Sequence, residues 1–452
     1  MDGPINSSIL KTADSLRRRI YSPVELVQAY LNRIETYEPV LNTFRIVLIE
    51  QALEAARQVE REWHQGFDRG PLHGIPVTLK DNIALTGVPM TNGSAFTSFI
   101  PTKSAPVVKA LTEAGSVIVG KTHMSEFAYG DFHPVLPAVR NPWHPGYLPG
   151  GSSSGAAAGI AAGFALGALG TDTAGSVRVP ACFCGTVGFK PTFGRLSLRG
   201  ITPLAPSLDH VGILAGSCTD TEILFQVLTN EVHYRPEPRP IRKLRFGILE
   251  SCFEAPTDPE TAKAVWETLE ILRREGAELI SLRPLDLPIA LVKQTTWTIL
   301  LAEAYRIHKL KLKNDAGFYG RSLISSLEKG QEILPEEYAC ALAWREQAKN
   351  VVSRLWDLVD AIVIPTCPWA ARPLGSSSPD GKTVNGEFTP FDNLWGLPAL
   401  SVPVGYTREG LPIGMQITCQ AGADELVLAI GKYIEGALNG TLRKPSEALW
   451  TL

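Results

Sequence analysis

Two stretches gather hydroxyls onto flexible backbone: Gly150-Gly151-Ser152-Ser153-Ser154-Gly155 and Gly170-Thr171-Asp172-Thr173-Ala174-Gly175-Ser176-Val177-Arg178. A serine in such a setting can attack a carbonyl if a base takes its proton. Neither stretch has the form of a phosphate cradle, since there is no Gly-Lys-Ser/Thr after four spacers and no G-x-G-x-x-G after a strand. Gly151 to Gly155 satisfies G-x-S-x-G, which would make Ser153 an α/β-hydrolase elbow nucleophile. That arrangement needs a late histidine, and the last one is His308. A lysine can act instead when burial strips its ammonium of water. Lys80 suits this role, following the apolar run Ile75 to Leu79 and preceding Asp81-Asn82. Taken singly, each serine cluster also reads as a flexible loop or helix cap, and Lys80 as a solvated strand end.

The elements that must position these residues alternate between helix and strand. Ser22-Pro23-Val24-Glu25 is a capping box with Pro at the first helical position, followed by apolar residues at helical spacing. A second helix is predicted over about 50–63, a strand over 75–79, a helix over 105–114 and a strand over 116–120. Ser154 to Leu166 reads as a helix and Ala168 to Thr171 as a short strand. Beyond them come a strand at 244–249, a helix from Thr257-Asp258-Pro259-Glu260 to about 275, a strand at 277–282, a helix over 335–359 and a strand at 361–364. This rhythm predicts an α/β protein, a single large domain with a central mixed, mainly parallel-type twisted sheet covered by helices on both faces. Within residues 1–452 the reading is an N-terminal helical segment to about 70, a core at about 71–230 and the remaining sheet and lining loops at about 243–436. His233 to Arg242 is taken as a surface crossover inside that domain, and Pro365 to Gly381 as a loop fit to line a site.

A net charge of −3 without long basic blocks gives no footprint for nucleic acid or an anionic membrane. Leu148 to Thr171 is uncharged, but its Gly, Ala and Ser content predicts a buried helix, not a span. The seven cysteines show no CxxC pairing, so neither a metal site nor a disulfide framework is expected, and Cys182 and Cys184 read as small buried residues. The N-terminus lacks signal-peptide features, which predicts a cytoplasmic protein.

The order G-I-P-V-T-L-K-D-N, P-G-G-S-S-S-G-A-A-A-G, L-G-T-D-T-A-G-S-V-R-V-P-A and G-F-K-P-T-F-G-R resembles the amidase signature family. Arg140-Asn141-Pro142-Trp143, Ser207-Leu208-Asp209 and Gly396-Leu397-Pro398-Ala399-Leu400-Ser401-Val402-Pro403 extend the likeness, which runs from about Ser22 to about Glu435. The resemblance implies hydrolysis of an amide-type carbon–nitrogen bond, with Lys80 as base, Ser152 as a bridging serine behind a cis peptide and Ser176 as the acylated serine. It also implies an oxyanion hole from the backbone N–H groups of Thr173, Ala174, Gly175 and Ser176, which suits a Ser176 read as opening a helix whose N-terminus favours an anion. Asp172 and Arg178 read as an internal pair that shapes the loop, although an arginine there can also grip a substrate carboxylate. Ser153 is assigned to substrate or loop shaping in the same way. No cofactor or metal is expected. The expected partner is a small amide-type substrate, and the protein itself a monomer or homo-oligomer.

Ala174 stands where many relatives carry glycine, His123 where asparagine is usual, and Gly216 where an arginine often follows. These differences leave the acyl and amine parts of the substrate open. His123 reads as a packing residue, with substrate contact as the alternative. Tyr129 to Val139, Trp297 to Leu327 and Cys367 to Asp392 are expected to line the pocket, and Trp297, Phe318, Tyr319 and Trp369 favour an apolar or aromatic substrate. A glutaminase component of a tRNA-dependent amidotransferase is the competing enzyme reading, although Val179 stands where such relatives typically have glutamine. A non-catalytic binding relative is the third.

Overall fold

The computed structural model describes residues 5, 8–95, 98–231, 240–254, 256–282, 288–376, 387–438 and 443–450. The chain opens with α1 (Ile9–Arg17), α2 (Pro23–Leu41), β1 (Phe44–Val47) and α3 (Ile49–His64). The predicted capping box is formed: the Glu25 N–H donates to Ser22 Oγ and the Ser22 N–H to Glu25 Oε2. Next come β2 (Pro76–Lys80), α4 (Pro106–Glu113), β3 (Val117–Thr122), α5 (Ser154–Ala161), β4 (Gly167–Asp172), α6 (Arg178–Cys184), β5 (Val187–Lys190) and β6 (His210–Ala215). The second half supplies α7 (Cys218–Thr229), β7 (Arg245–Leu249), α8 (Pro259–Arg274), β8 (Glu278–Leu282), α9 (Ile289–Asp315), α10 (Arg321–Glu332), α11 (Pro335–Leu358) and β9 (Ala361–Pro365). It ends with α12 (Pro390–Leu394), β10 (Ala399–Tyr406), β11 (Pro412–Thr418) and α13 (Asp424–Ala437).

All of these strands join one sheet in the order β1-β3-β2-β4-β6-β5-β10-β11-β9-β7-β8. Strands from both sides of the 233–242 crossover share it, as one domain requires. The crossover itself lies outside the described residues up to 239, as does the 365–381 loop beyond 376. The sheet is mixed, but parallel pairing does not dominate it. Parallel neighbours are confined to β3-β2-β4 and β9-β7-β8, and the centre from β4 to β9 is antiparallel. The physical reason is connection length: β10 reaches β11 through a tight turn, and antiparallel neighbours need no helical crossover.

Side chains alternate between two cores, as strand geometry demands. Ile118, Leu169 and Ile213 face one apolar layer with α4, α7, α8 and α13. Val117, Val119, Ala168 and Leu214 face the other with α3, α5 and α6. Helix α5 is shorter than its uncharged run predicts: Gly163 adopts φ +71°, and Phe164 to Leu166 form the link that leads to β4. Its small residues let it sit on backbone: a Cβ at Gly155 would lie 2.1 Å from the Thr43 carbonyl and 2.7 Å from the His123 nitrogen. Among the described residues no helix is long and apolar enough to cross a membrane.

Candidate active site

Parallel strands β2 and β4 run side by side, and their ends bring several of the candidate residues together. Lys80, the final residue of β2, is fully buried, with Nζ 2.7 Å from Ser152 Oγ. Nζ also donates to Thr171 Oγ1 at 2.8 Å and, more weakly, to the Thr171 carbonyl at 3.4 Å. Asn82 Nδ2 donates to the same Thr171 hydroxyl at 3.1 Å. Burial pulls the Lys80 amine down to about 7, and the carboxylates of Asp172 and Asp209 offset this only in part. A second buried lysine, Lys121, donates to the Asp81 carbonyl at 3.1 Å, and the Asp81 carboxylate receives the Thr91 and Gly93 N–H groups. The K-D-N segment is thus braced from behind.

The peptide bond between Gly151 and Ser152 is cis. Ser153 is fully buried, with its hydroxyl donating to the Thr171 carbonyl at 3.2 Å, so it cannot be an exposed elbow nucleophile. Its N–H donates to the Ser176 carbonyl at 3.1 Å, which sets the two serine-rich turns against each other. Ser176 is partly exposed, whereas Lys80 and Ser152 are buried. Among the described residues no hydrogen bond joins the Ser176 hydroxyl to Ser152.

The turn before Ser176 is shaped by charge. Asp172 accepts the Gly175 N–H at 2.8 Å and the Val177 N–H at 3.1 Å, and Arg178 binds it in a fork at 3.0 and 3.1 Å. The rest of the buried guanidinium is taken by Asp392, Gln416 and Asn393. Burial by itself would raise the Asp172 carboxyl, but Arg178 outweighs this and holds it well below the usual carboxylate range. Arg178 therefore has no donor to offer a substrate carboxylate, and the loop-shaping reading fits.

Two expectations about this turn need correction. Helix α6 begins at Arg178, with Val177 at its N-cap, so Ser176 precedes the helix instead of opening it. The Gly175 N–H is committed to Asp172, which removes it from the oxyanion set, whereas the N–H groups of Thr173, Ala174 and Ser176 meet no acceptor among the described residues. Asp209 steadies the same turn by accepting from Thr173 Oγ1 at 2.6 Å. Arg140-Asn141-Pro142-Trp143 closes the far end of α6: Asn141 Nδ2 donates to the Phe183 carbonyl and Trp143 Nε1 to the Cys184 carbonyl. Cys182 and Cys184 are buried free thiols, as their sequence context implies.

His123 is buried and packs edge-on against Phe132, with Nδ1 taking the Met124 N–H at 2.8 Å. Burial lowers it to about 4, so it is neutral near pH 7. Of the expected lining residues, Trp297 stands edge-on to Tyr129, and both join Ala174, Phe391 and Trp395 in one apolar cluster. Tyr319 is buried behind Phe127 and hydrogen-bonded to His308. Trp369 packs under Arg372 against Val179 and Phe183, and Phe318 is 44% exposed. Sequence reasoning did not single out Thr171, Asn82, Thr389, Asp392 or Asn393. Asn82 and Thr171 lie inside recognisable motifs, but nothing in their spacing assigns them a role.

Comparison with known proteins places this chain among hydrolases that act on carbon–nitrogen bonds. The family described as Amidase matches residues 25–428, and this chain belongs to it. An amidase of Pseudomonas putida is 34% identical, with 97% of each chain covered. A glutamyl-tRNA(Gln) amidotransferase subunit of Synechococcus sp. (strain CC9605) is 33% identical over 94% of this chain and 95% of its own. A crystal structure of an amidase superposes with a TM-score of 0.88 at 32% identity, covering 95% of this chain and 99% of that one.

Proposed function

We propose that this chain hydrolyses small carboxamide-type substrates through an acyl-enzyme on Ser176. Neutral Lys80 accepts the Ser152 proton, Ser152 takes the Ser176 proton, and Ser176 Oγ bonds to the carbonyl carbon. The oxyanion is received by the Thr173, Ala174 and Ser176 N–H groups. Ser152 then protonates the departing nitrogen, because an amine leaves poorly without a proton. Water repeats the path, freeing the acid and restoring Ser176. The observation that carries this reading is the 2.7 Å contact between Lys80 and Ser152, made by an amine that burial has brought to about 7.

The apolar cluster that Trp297, Phe391 and Trp395 share with Ala174 supports an apolar or aromatic group on the substrate. Labelling with a fluorophosphonate probe tests the mechanism: wild-type protein takes up one adduct at Ser176, and Ser176→Ala takes up none. A wild-type protein that stays unlabelled and turns over no amide, anilide, ester or carbamate would instead be a binding relative. The likeness to the amidotransferase component favours a second reading, a glutaminase working with other polypeptides. Ammonia release from glutamine only when such partners are added would support that one.

A further inference from the structure

The Ala174–Gly175 peptide is held on both edges. Its N–H donates to Asp172 Oδ1 at 2.8 Å, and its carbonyl accepts from Thr389 Oγ1 at 2.6 Å. A peptide unit is planar, so two hydrogen bonds on opposite edges fix its rotation. Because the Gly175 N–H is turned inward, the N–H groups of Thr173, Ala174 and Ser176 are the ones left to meet a substrate oxygen. Asp172 is itself fixed by Arg178, so Thr389 is the other support.

Thr389 stands at the N-cap of α12, where a threonine hydroxyl ordinarily accepts from its own helix. Here it makes no such cap bond. Its hydroxyl instead donates across 215 positions of sequence to Ala174. The side chain is fully buried, and a Cβ on Gly175 would come within 2.1 Å of its oxygen. Helix α12 is itself anchored, since Asp392 and Asn393 bind Arg178 and the Asn393 amide donates to the Asp172 carbonyl at 3.0 Å.

We propose that Thr389 is a positioning residue for the oxyanion site: by holding the Ala174 carbonyl it turns the neighbouring N–H groups toward the attacked carbonyl. This inference rests on the acyl-enzyme reading. Thr389→Val keeps the shape and loses the hydroxyl, and Thr389→Ser keeps the hydroxyl. On an amide substrate Thr389→Val is expected to lose about 10- to 100-fold in kcat, with KM within about twofold. Affinity for a trifluoromethyl ketone, which forms a tetrahedral adduct on the serine, falls by a similar factor. Thr389→Ser keeps at least about a third of wild-type kcat, a rescue that a general packing role would not give. Should Thr389→Val fail to fold, Thr389→Ala carries the same comparison. Wild-type kcat and adduct affinity in the hydroxyl-free variant, or equal loss in Thr389→Ser, overturn the positioning role. Fluorophosphonate labelling is run alongside: an unlabelled wild type overturns both readings, whereas normal labelling with an unaffected Thr389→Val overturns this one alone.

Discussion

Lys80 can accept a proton only when neutral, and its position near 7 fixes the direction of the pH profile. In the proposed relay kcat/KM rises with pH through about 7 as the ammonium loses its proton, and then levels off. A rate that falls across that range would exclude Lys80 as the base. Lys80→Met should cost about 10²- to 10⁴-fold in turnover at about pH 7.5. Near-wild-type rates in that variant would reject the relay. At this scale much of the site was legible. Lys80 and the two serines came from motif order, and the Asp172–Arg178 pair from opposite charges six residues apart. Thr171, Asn82 and Thr389 were not legible as ligands of the site. A hydroxyl that bonds to a carbonyl two hundred residues away leaves no mark in local spacing. The Gly175 error has a local cause: a glycine beside a nucleophile suggests an open N–H, and only the folded turn reveals Asp172 reaching back to take it.

Short elements do most of the positioning. Arg178, on the short, seven-residue helix α6, is the hub that ties α6 to α12 and β11. Arg178→Met would leave Asp172 and Asp392 buried without their cation, at a cost of about 3–5 kcal/mol. Urea denaturation should show that loss, and an unchanged midpoint would refute the hub. Gly155→Ala would push α5 off the Thr43 and His123 backbone, costing about 1–3 kcal/mol or more because backbone cannot rotate aside. A melting temperature equal to that of wild type would contradict the close seam. Most element types in the first half were readable because capping and periodicity are local. The end of α5 was not, since composition stays uncharged across the turn at Gly163. The antiparallel centre was not either, since pairing is decided by which strands meet, a property of the finished sheet.

The whole molecule carries unusual buried bases, and they set its response to pH. Lys80 and Lys190 lie at about 7 in the fold, against an ordinary value of 10.5. Between those limits the unfolded chain binds more protons than the folded one, so stability rises with pH. Buried thiols act in the opposite sense: burial raises Cys184, Cys218 and Cys367 well above 9.0, so the unfolded chain sheds protons first and stability falls above that pH. The melting midpoint should therefore climb from about pH 7 to about 8.5 and decline beyond about 9.5. A flat curve over the lower interval would show that the two amines are not desolvated as described. Lys80→Met combined with Lys190→Met should flatten that climb.

The supports of the Ser176 turn come from Thr389, Asp392, Asn393 and Gln416, long after the residues they hold. During synthesis the ribosome delivers Lys80, Ser152 and Ser176 first, while their scaffold is still untranslated. In the proposed relay, hydrolytic competence therefore awaits the segment from Thr389 to Gln416, and a product terminated before it carries the Ser176 hydroxyl without the framework that would arm it.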